Sequence, residues 1–166
     1  MAAQASFDIT STVDLQEVDN AVNQARKELV QRYDFKGSKA SIDLKRAENV
    51  IELVADDDFK MEAVWEILQT RMIRRGVPVK NLDPTPVEPI AGGLVKRTVK
   101  LTQGIPIERA KEIVQFLKER KKKVQATIQA DQVRVSSASK DELQEAMGLL
   151  RAGDFGVALQ FGNYRG

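Results

Sequence analysis

The chain carries one pattern twice. Ile51 and Leu53, then Asp57, Met61, Val64 and the pair Ile67 and Leu68, recur at one constant offset as Val133 and Val135, then Ser139, Leu143, Ala146 and the pair Leu149 and Leu150. Each set reads as a strand followed by an amphipathic helix. Ile9, Leu15, Val18, Ala21, Val22 and Ala25 likewise match Leu101, Ile107, Ala110, Ile113, Val114 and Leu117, and Ala40 to Ile42 match Ala126 to Ile128 at a slightly smaller offset. A chain of 166 residues that repeats itself this way is expected to build two copies of a small domain rather than one larger core.

The elements follow from periodicity. Phe7, Ile9, Ser11 and Val13 alternate with polar residues, which predicts a strand over Ser6 to Val13. Asp14, with Glu17 three residues on, opens a helix as a capping box, and Leu15, Val18, Val22, Ala25 and Leu29 form its apolar stripe. Ala40 to Leu44 and Ile51 to Leu53 predict two strands of a hairpin. A helix from Asp58 to Gly76 follows, and Val77 and Val79 suggest a short fourth strand. Asp83 to Gly93 holds three of the five prolines and reads as a linker. The order then repeats: a strand over Leu94 to Leu101, a helix from Pro106 to Arg120, strands over Val124 to Ala130 and Gln132 to Ser136, a helix capped by Ser139, and a last strand over Val157 to Phe161. Each half thus reads βαββαβ. The fold expected is α+β, two tandem ferredoxin-like domains over residues 1–83 and 94–166 with a Pro/Gly linker at 84–93, each a four-stranded antiparallel sheet with two helices on one face.

Composition narrows the chemistry. The chain has no Cys and no His, which removes disulfides, thiolate and imidazole nucleophiles, and zinc sites built from those ligands. It has neither a Gly-x-x-x-x-Gly-Lys-Ser/Thr loop nor a Gly-x-Gly-x-x-Gly turn after a strand. No catalytic group, cofactor or metal site is expected. No stretch approaches the roughly 20 apolar residues of a membrane span, and Met1 to Phe7 lacks the regions of a signal peptide, so a cytoplasmic location without membrane contact is expected. The net charge of +2 divides unevenly: residues 1–83 carry 12 Lys/Arg against 15 Asp/Glu, and residues 84–166 carry 14 against 9. A polyanion is expected to meet the second half first.

Two clusters are candidates for binding. Arg120, Lys121, Lys122 and Lys123, just after Lys118, form the densest run of cations, with Lys100 and Arg134 in the same half. They support a phosphate-binding patch; a solvated helix end complementing its own dipole explains the run as well. Arg32-Tyr33-Asp34-Phe35-Lys36-Gly37 places two aromatics among charges, so Arg32, Phe35 and Lys36 could hold a base and its phosphate. The alternative is that Tyr33 and Phe35 close the core beside a glycine turn. Arg74 and Arg75 read as helix-end cations, and Asp56 to Asp58 as the N-cap of the second helix rather than a cation site. The third strands lack the stacking aromatics of RNA-recognition motifs.

Six segments, Ser6 to Ile9, Arg32 to Gly37, Val99 to Ile105, Lys123 to Gln129, Gln132 to Val135 and Leu159 to Arg165, resemble in order and spacing the bacterial YajQ family. The resemblance implies tandem ferredoxin-like domains whose first strands are exchanged, so that residues 6–13 pair in the second domain and 94–101 in the first. It also implies non-enzymatic binding of a nucleotide or of RNA such as transfer RNA; some members resemble cyclic di-GMP effectors that act through a transcription-related protein. The chain departs from the family at Ser136 to Lys140, where a Gly-Lys pair is expected near Ser137 and Ala138. A protein-interaction adaptor without direct nucleic-acid contact is the alternative, and a metal-dependent phosphate-ester enzyme on Asp56 to Asp58 the least supported.

Overall fold

The computed structural model describes residues 4–166. In chain order the elements are β1 (Ala5–Thr10), α1 (Leu15–Gln31), β2 (Ser41–Lys45), β3 (Val50–Ala55), α2 (Asp58–Arg74), β4 (Leu82–Pro84), β5 (Glu88–Pro89), β6 (Val95–Leu101), α3 (Ile107–Arg120), β7 (Gln125–Gln129), β8 (Gln132–Ser137), α4 (Lys140–Ala152) and β9 (Gln160–Arg165). They form two antiparallel sheets. One has the order β7-β8-β1-β9; the other has the order β2-β3-β6-β4, with β5 also on β6. Each is the strand order of a ferredoxin-like domain with its first strand supplied by the other sequence repeat.

The exchange is visible in the register. Phe7 lies opposite Val135 and Ile9 opposite both Val133 and Phe161, while Ile51 lies opposite Val99 and Leu82 opposite Leu101. One compact unit therefore joins the N-terminal residues up to Thr12 with Gln103–Gly166, and the other is the continuous stretch Val13–Thr102. Each has its own core. Phe7, Ile9, Ile113, Leu117, Val133, Val135 and Leu150 are buried in the first; Ile42, Ile51, Leu53, Met61, Leu68, Met72 and Val99 are buried in the second.

Exchange also redistributes charge. Lys96, Arg97 and Lys100 go with β6 into the unit of residues 13–102, which then holds 15 Lys/Arg and 15 Asp/Glu, while the other unit holds 11 against 9. The charge bias of the sequence halves is therefore largely lost in the folded units. What attracts an anion must be local.

Several boundaries differ from expectation. β1 stops at Thr10 rather than Val13, and beyond it the Ser11 carbonyl accepts from the Gly104 N–H at 2.6 Å. Gly104 has φ +86°, and a Cβ there would lie 2.5 Å from an Asp131 carboxylate oxygen, so the junction requires glycine. Val79–Asn81 is a 3-10 turn, and the fourth strand follows it at Leu82–Pro84. The proline-rich segment read as a linker holds β5 and pairs along β6, which prolines tolerate on a sheet edge. The last strand is Gln160–Arg165 rather than Val157 to Phe161; Val157 instead is buried ahead of the strand.

Capping is half as expected. Asp14 accepts from the Gln16 N–H, Asp57 from Lys60 and Ser139 from Glu142. Glu17, however, does not close a box. It pairs with Arg75 at 2.8 Å, the residue that ends α2. In the other unit Glu142 pairs with Lys121, the residue that ends α3. In both units a first-turn glutamate of one helix holds the final cation of its neighbour, each charge sitting at the pole of the dipole it complements.

Candidate functional site

The end of α3 carries the densest cations, and the structure sorts them by partner. Lys121 lies 2.5 Å from both Glu142 and Glu145 on α4. These hydrogen bonds raise the Lys121 pKa above 10.5, and the same contact lowers that of Glu142 below 4.5. Arg120 stacks its guanidinium 4.1 Å from the Phe116 ring centre. Lys122 and Lys123 are exposed, and the Ser137 hydroxyl, where the family's Gly-Lys pair is expected, donates to the Lys123 carbonyl at 2.9 Å and anchors the turn. Among the described residues no carboxylate pairs with Lys118 or Lys122.

Lys118, Lys121 and Lys122 rim a groove of about 440 Å³ between α3 and β7. Val114, Val124 and Ala126 contribute apolar surface, Gln125 an amide, and Lys118, Lys121 and Lys122 the charge. Sequence reasoning found the lysines but not the apolar wall, because which helix positions line the edge strand depends on packing.

None of the other candidate cations lines this groove. Arg134 projects from β8 on the sheet face opposite the helices, where its Nε donates to Asp8 at 2.9 Å. Lys100 is on β6 in the other unit, opposite Val50 and Asp83. Arg32 forks onto Asp34 at 3.0 and 2.7 Å. Phe35 is buried in the core, with Arg32 5.5 Å and Lys60 4.8 Å from its ring centre. Lys36 is exposed, and so is Tyr33, at 89%. The core reading of this turn therefore holds for Phe35 and not for Tyr33, which leaves no buried ring free to stack on a base at position 35. Asp56 braces the same turn by accepting from the Ser38 hydroxyl and the Lys39 N–H, while Asp57 caps α2. Among the described residues no cluster of carboxylates could hold a metal ion.

Asp8 is the buried charge on the sheet face away from the helices. Arg134 is the chief cause of its pKa falling below 3.8; burial opposes the shift, and Asn163, donating at 2.6 Å, adds to it. A lowered folded-state pKa contributes stability above the unfolded value and loses it as pH falls through the folded value. Acid titration below about pH 4 is therefore expected to destabilise the protein through Asp8. Denaturant unfolding of Asp8→Asn should show a shallower loss of stability between pH 5 and pH 2 than the parent; equal slopes would remove Asp8 as a source of the acid sensitivity.

The comparison with known proteins settles the lineage. The pattern of the family described as nucleotide-binding protein YajQ-like matches residues 5–165. The chain belongs to the YajQ-like family. A nucleotide-binding protein of Carboxydothermus hydrogenoformans is 49% identical over 165 residues, 99% of this chain and 100% of that relative. One from Elusimicrobium minutum is 48% identical over 163 residues, 98% of this chain and 99% of the relative. One from Magnetococcus marinus is 53% identical over 160 residues, 96% of this chain and 98% of the relative. The YajQ-like relationship thus spans both units and the exchanged strands. Among the described residues no helix of this YajQ-like chain is long and apolar enough to cross a membrane.

Proposed function

We propose that the protein binds a nucleotide in the groove between α3 and β7 and does so without turnover. One observation carries this: the groove combines an apolar wall of Val114, Val124 and Ala126 with Lys118 and Lys122, which no carboxylate among the described residues pairs. A base can lie against the wall while phosphates meet the ammonium groups. The names of the relatives, nucleotide-binding proteins, support the ligand class. Lys121 is held by Glu142 and Glu145, which balance its charge, so the phosphate contacts fall to Lys118 and Lys122. A cyclic dinucleotide such as cyclic di-GMP presents two phosphates to this rim; an RNA such as transfer RNA would continue past it to Lys123 and Arg120. A cytoplasmic setting accords with either ligand. Among the described residues the groove lining holds no carboxylate, histidine or cysteine to act as general base or nucleophile for hydrolysis.

Calorimetry against GMP, cyclic di-GMP and transfer RNA tests this reading. Changing Lys118 and Lys122 together to Ala is expected to weaken binding by about tenfold or more per lysine, the cost of a charge-assisted hydrogen bond. For RNA the variant should also flatten the salt dependence, since fewer counterions are released. The nucleotide should be recovered intact. Unchanged affinity in the double variant, or hydrolysis of the ligand, would overturn the proposal.

A further inference from the structure

The two repeats contain the same groove twice, and in only one is the neighbouring strand edge blocked. In the unit of residues 13–102 a groove of about 320 Å³ between α1 and β2 is lined by Arg26, Leu29, Val30, Ala40, Ser41, Ile42 and Asp43. By the spacing that relates Leu15 to Ile107, Arg26 corresponds to Lys118, Leu29 to Lys121 and Val30 to Lys122. The strands correspond through their pairing: Ile42 lies opposite Leu53 and Ala126 opposite Val135, the repeat partner of Leu53. Ile42 is thus the counterpart of Ala126, two residues from the match that sequence alone suggested.

β2 and β7 are both sheet edges. On β2 the edge is blocked: Arg26 Nε donates to the Ile42 carbonyl at 2.7 Å, and its second nitrogen holds Asp43 at 3.0 Å. That is an edge defended against pairing. On β7 the corresponding residue is Lys118, which among the described residues makes no such bond. The two-residue turn at Ala130 and Asp131 makes Gln129 and Gln132 a hydrogen-bonded pair, so Thr127 and Gln125 also point toward β8. Ala126 and Ile128 therefore direct their N–H and C=O groups off the sheet.

We propose that the free edge of β7 takes an extended acidic segment of a partner protein as an added antiparallel strand. Residues that hydrogen-bond to Ala126 and Ile128 lie directly opposite them, so their side chains share the helix-facing side with Lys118 and Lys122. Alternate acidic residues then meet those two ammonium groups. A second copy of this chain fits poorly, because two β7 edges in register bring lysine against lysine. The inference stands on the edge geometry and not on the nucleotide reading, although the two ligands share Lys118 and Lys122 and exclude one another.

The test uses the full chain and the peptide acetyl-Glu-Thr-Glu-Thr-Glu-amide, followed by amide NMR. Saturable shifts and slowed exchange at Ala126 and Ile128 are expected. An analogue N-methylated at its glutamates has the same charge but no N–H to donate, and it should bind at least about tenfold more weakly, since each lost hydrogen bond leaves a carbonyl unpaired. Lys118→Arg, which keeps the charge and restores the arginine of the first groove, should weaken the peptide comparably. Equal binding of the methylated peptide, undiminished binding to Lys118→Arg, the absence of saturable shifts, or peptide-independent dimerisation through β7 would each overturn the proposal. None of these results depends on whether GMP or cyclic di-GMP binds.

Discussion

A fragment of residues 13–102 is expected to fold alone, whereas residues 1–83, the complete first repeat, are expected to remain unfolded. The first fragment contains one entire sheet, both of its helices and a core that includes Ile51, Leu53, Met61, Leu68, Val99 and Leu101. The second lacks β6, which lies between β3 and β4 and supplies the ladder to both. It loses Val99 and Leu101 from the core and leaves Ile51 and Leu53 without the strand that flanks them. A domain of this size has only about 5–15 kcal/mol in hand, less than the loss of a central strand removes. Circular dichroism with thermal melting decides it: a cooperative transition for residues 1–83 comparable to that of 13–102 would contradict the exchanged pairing.

The second large effect concerns Phe7. Its side chain is fully buried between β8 and β9, 5.8 Å from the Phe161 ring in an edge-on arrangement. Phe7→Ala is expected to cost about 3–5 kcal/mol, the usual range for removing a buried aromatic ring. Location makes the test sharper than magnitude. Hydrogen exchange should accelerate most in β8, β9 and α4, more than a hundred residues away in sequence, rather than in α1, which follows Phe7 directly. Loss of protection concentrated in α1 would contradict the pairing.

Much of the fold was legible because the repeat doubles each signal. The stripes of α1 and α4 and the alternation of β3 and β8 are periodic, and the same residues line the cores. β9 was misplaced because Gly162, Asn163 and Arg165 interrupt any apolar alternation on this edge strand, while the apolar Val157 ahead of it serves the core from a loop. β4 and β5 were hidden by prolines that edge positions accept. For the site, the run of lysines was visible, but its sorting was not: Lys121 spent on Glu142 and Glu145, Arg134 on Asp8, Lys100 carried into the other unit. Such assignments depend on which surfaces meet in three dimensions. Ordinary i, i+3 reasoning also sent Glu17 to the wrong partner, since a cation ending the neighbouring helix outcompetes a backbone N–H.

The exchange of first strands sets the order in which this protein can be completed during synthesis. Val13–Thr102 leaves the ribosome as a contiguous block and holds everything its sheet requires. β1 emerges before it, yet its partners β8 and β9 are made last. At about 5–20 residues per second, the roughly 120 to 150 residues that separate β1 from them take on the order of 6 to 30 s. During that interval Ala5, Phe7 and Ile9 form an apolar strand with no sheet to join, the kind of segment that binds chaperones or aggregates. The finished block at Val13 gives this strand a fixed anchor from which to wait, so the last step of folding is a local closure rather than a search by a free chain.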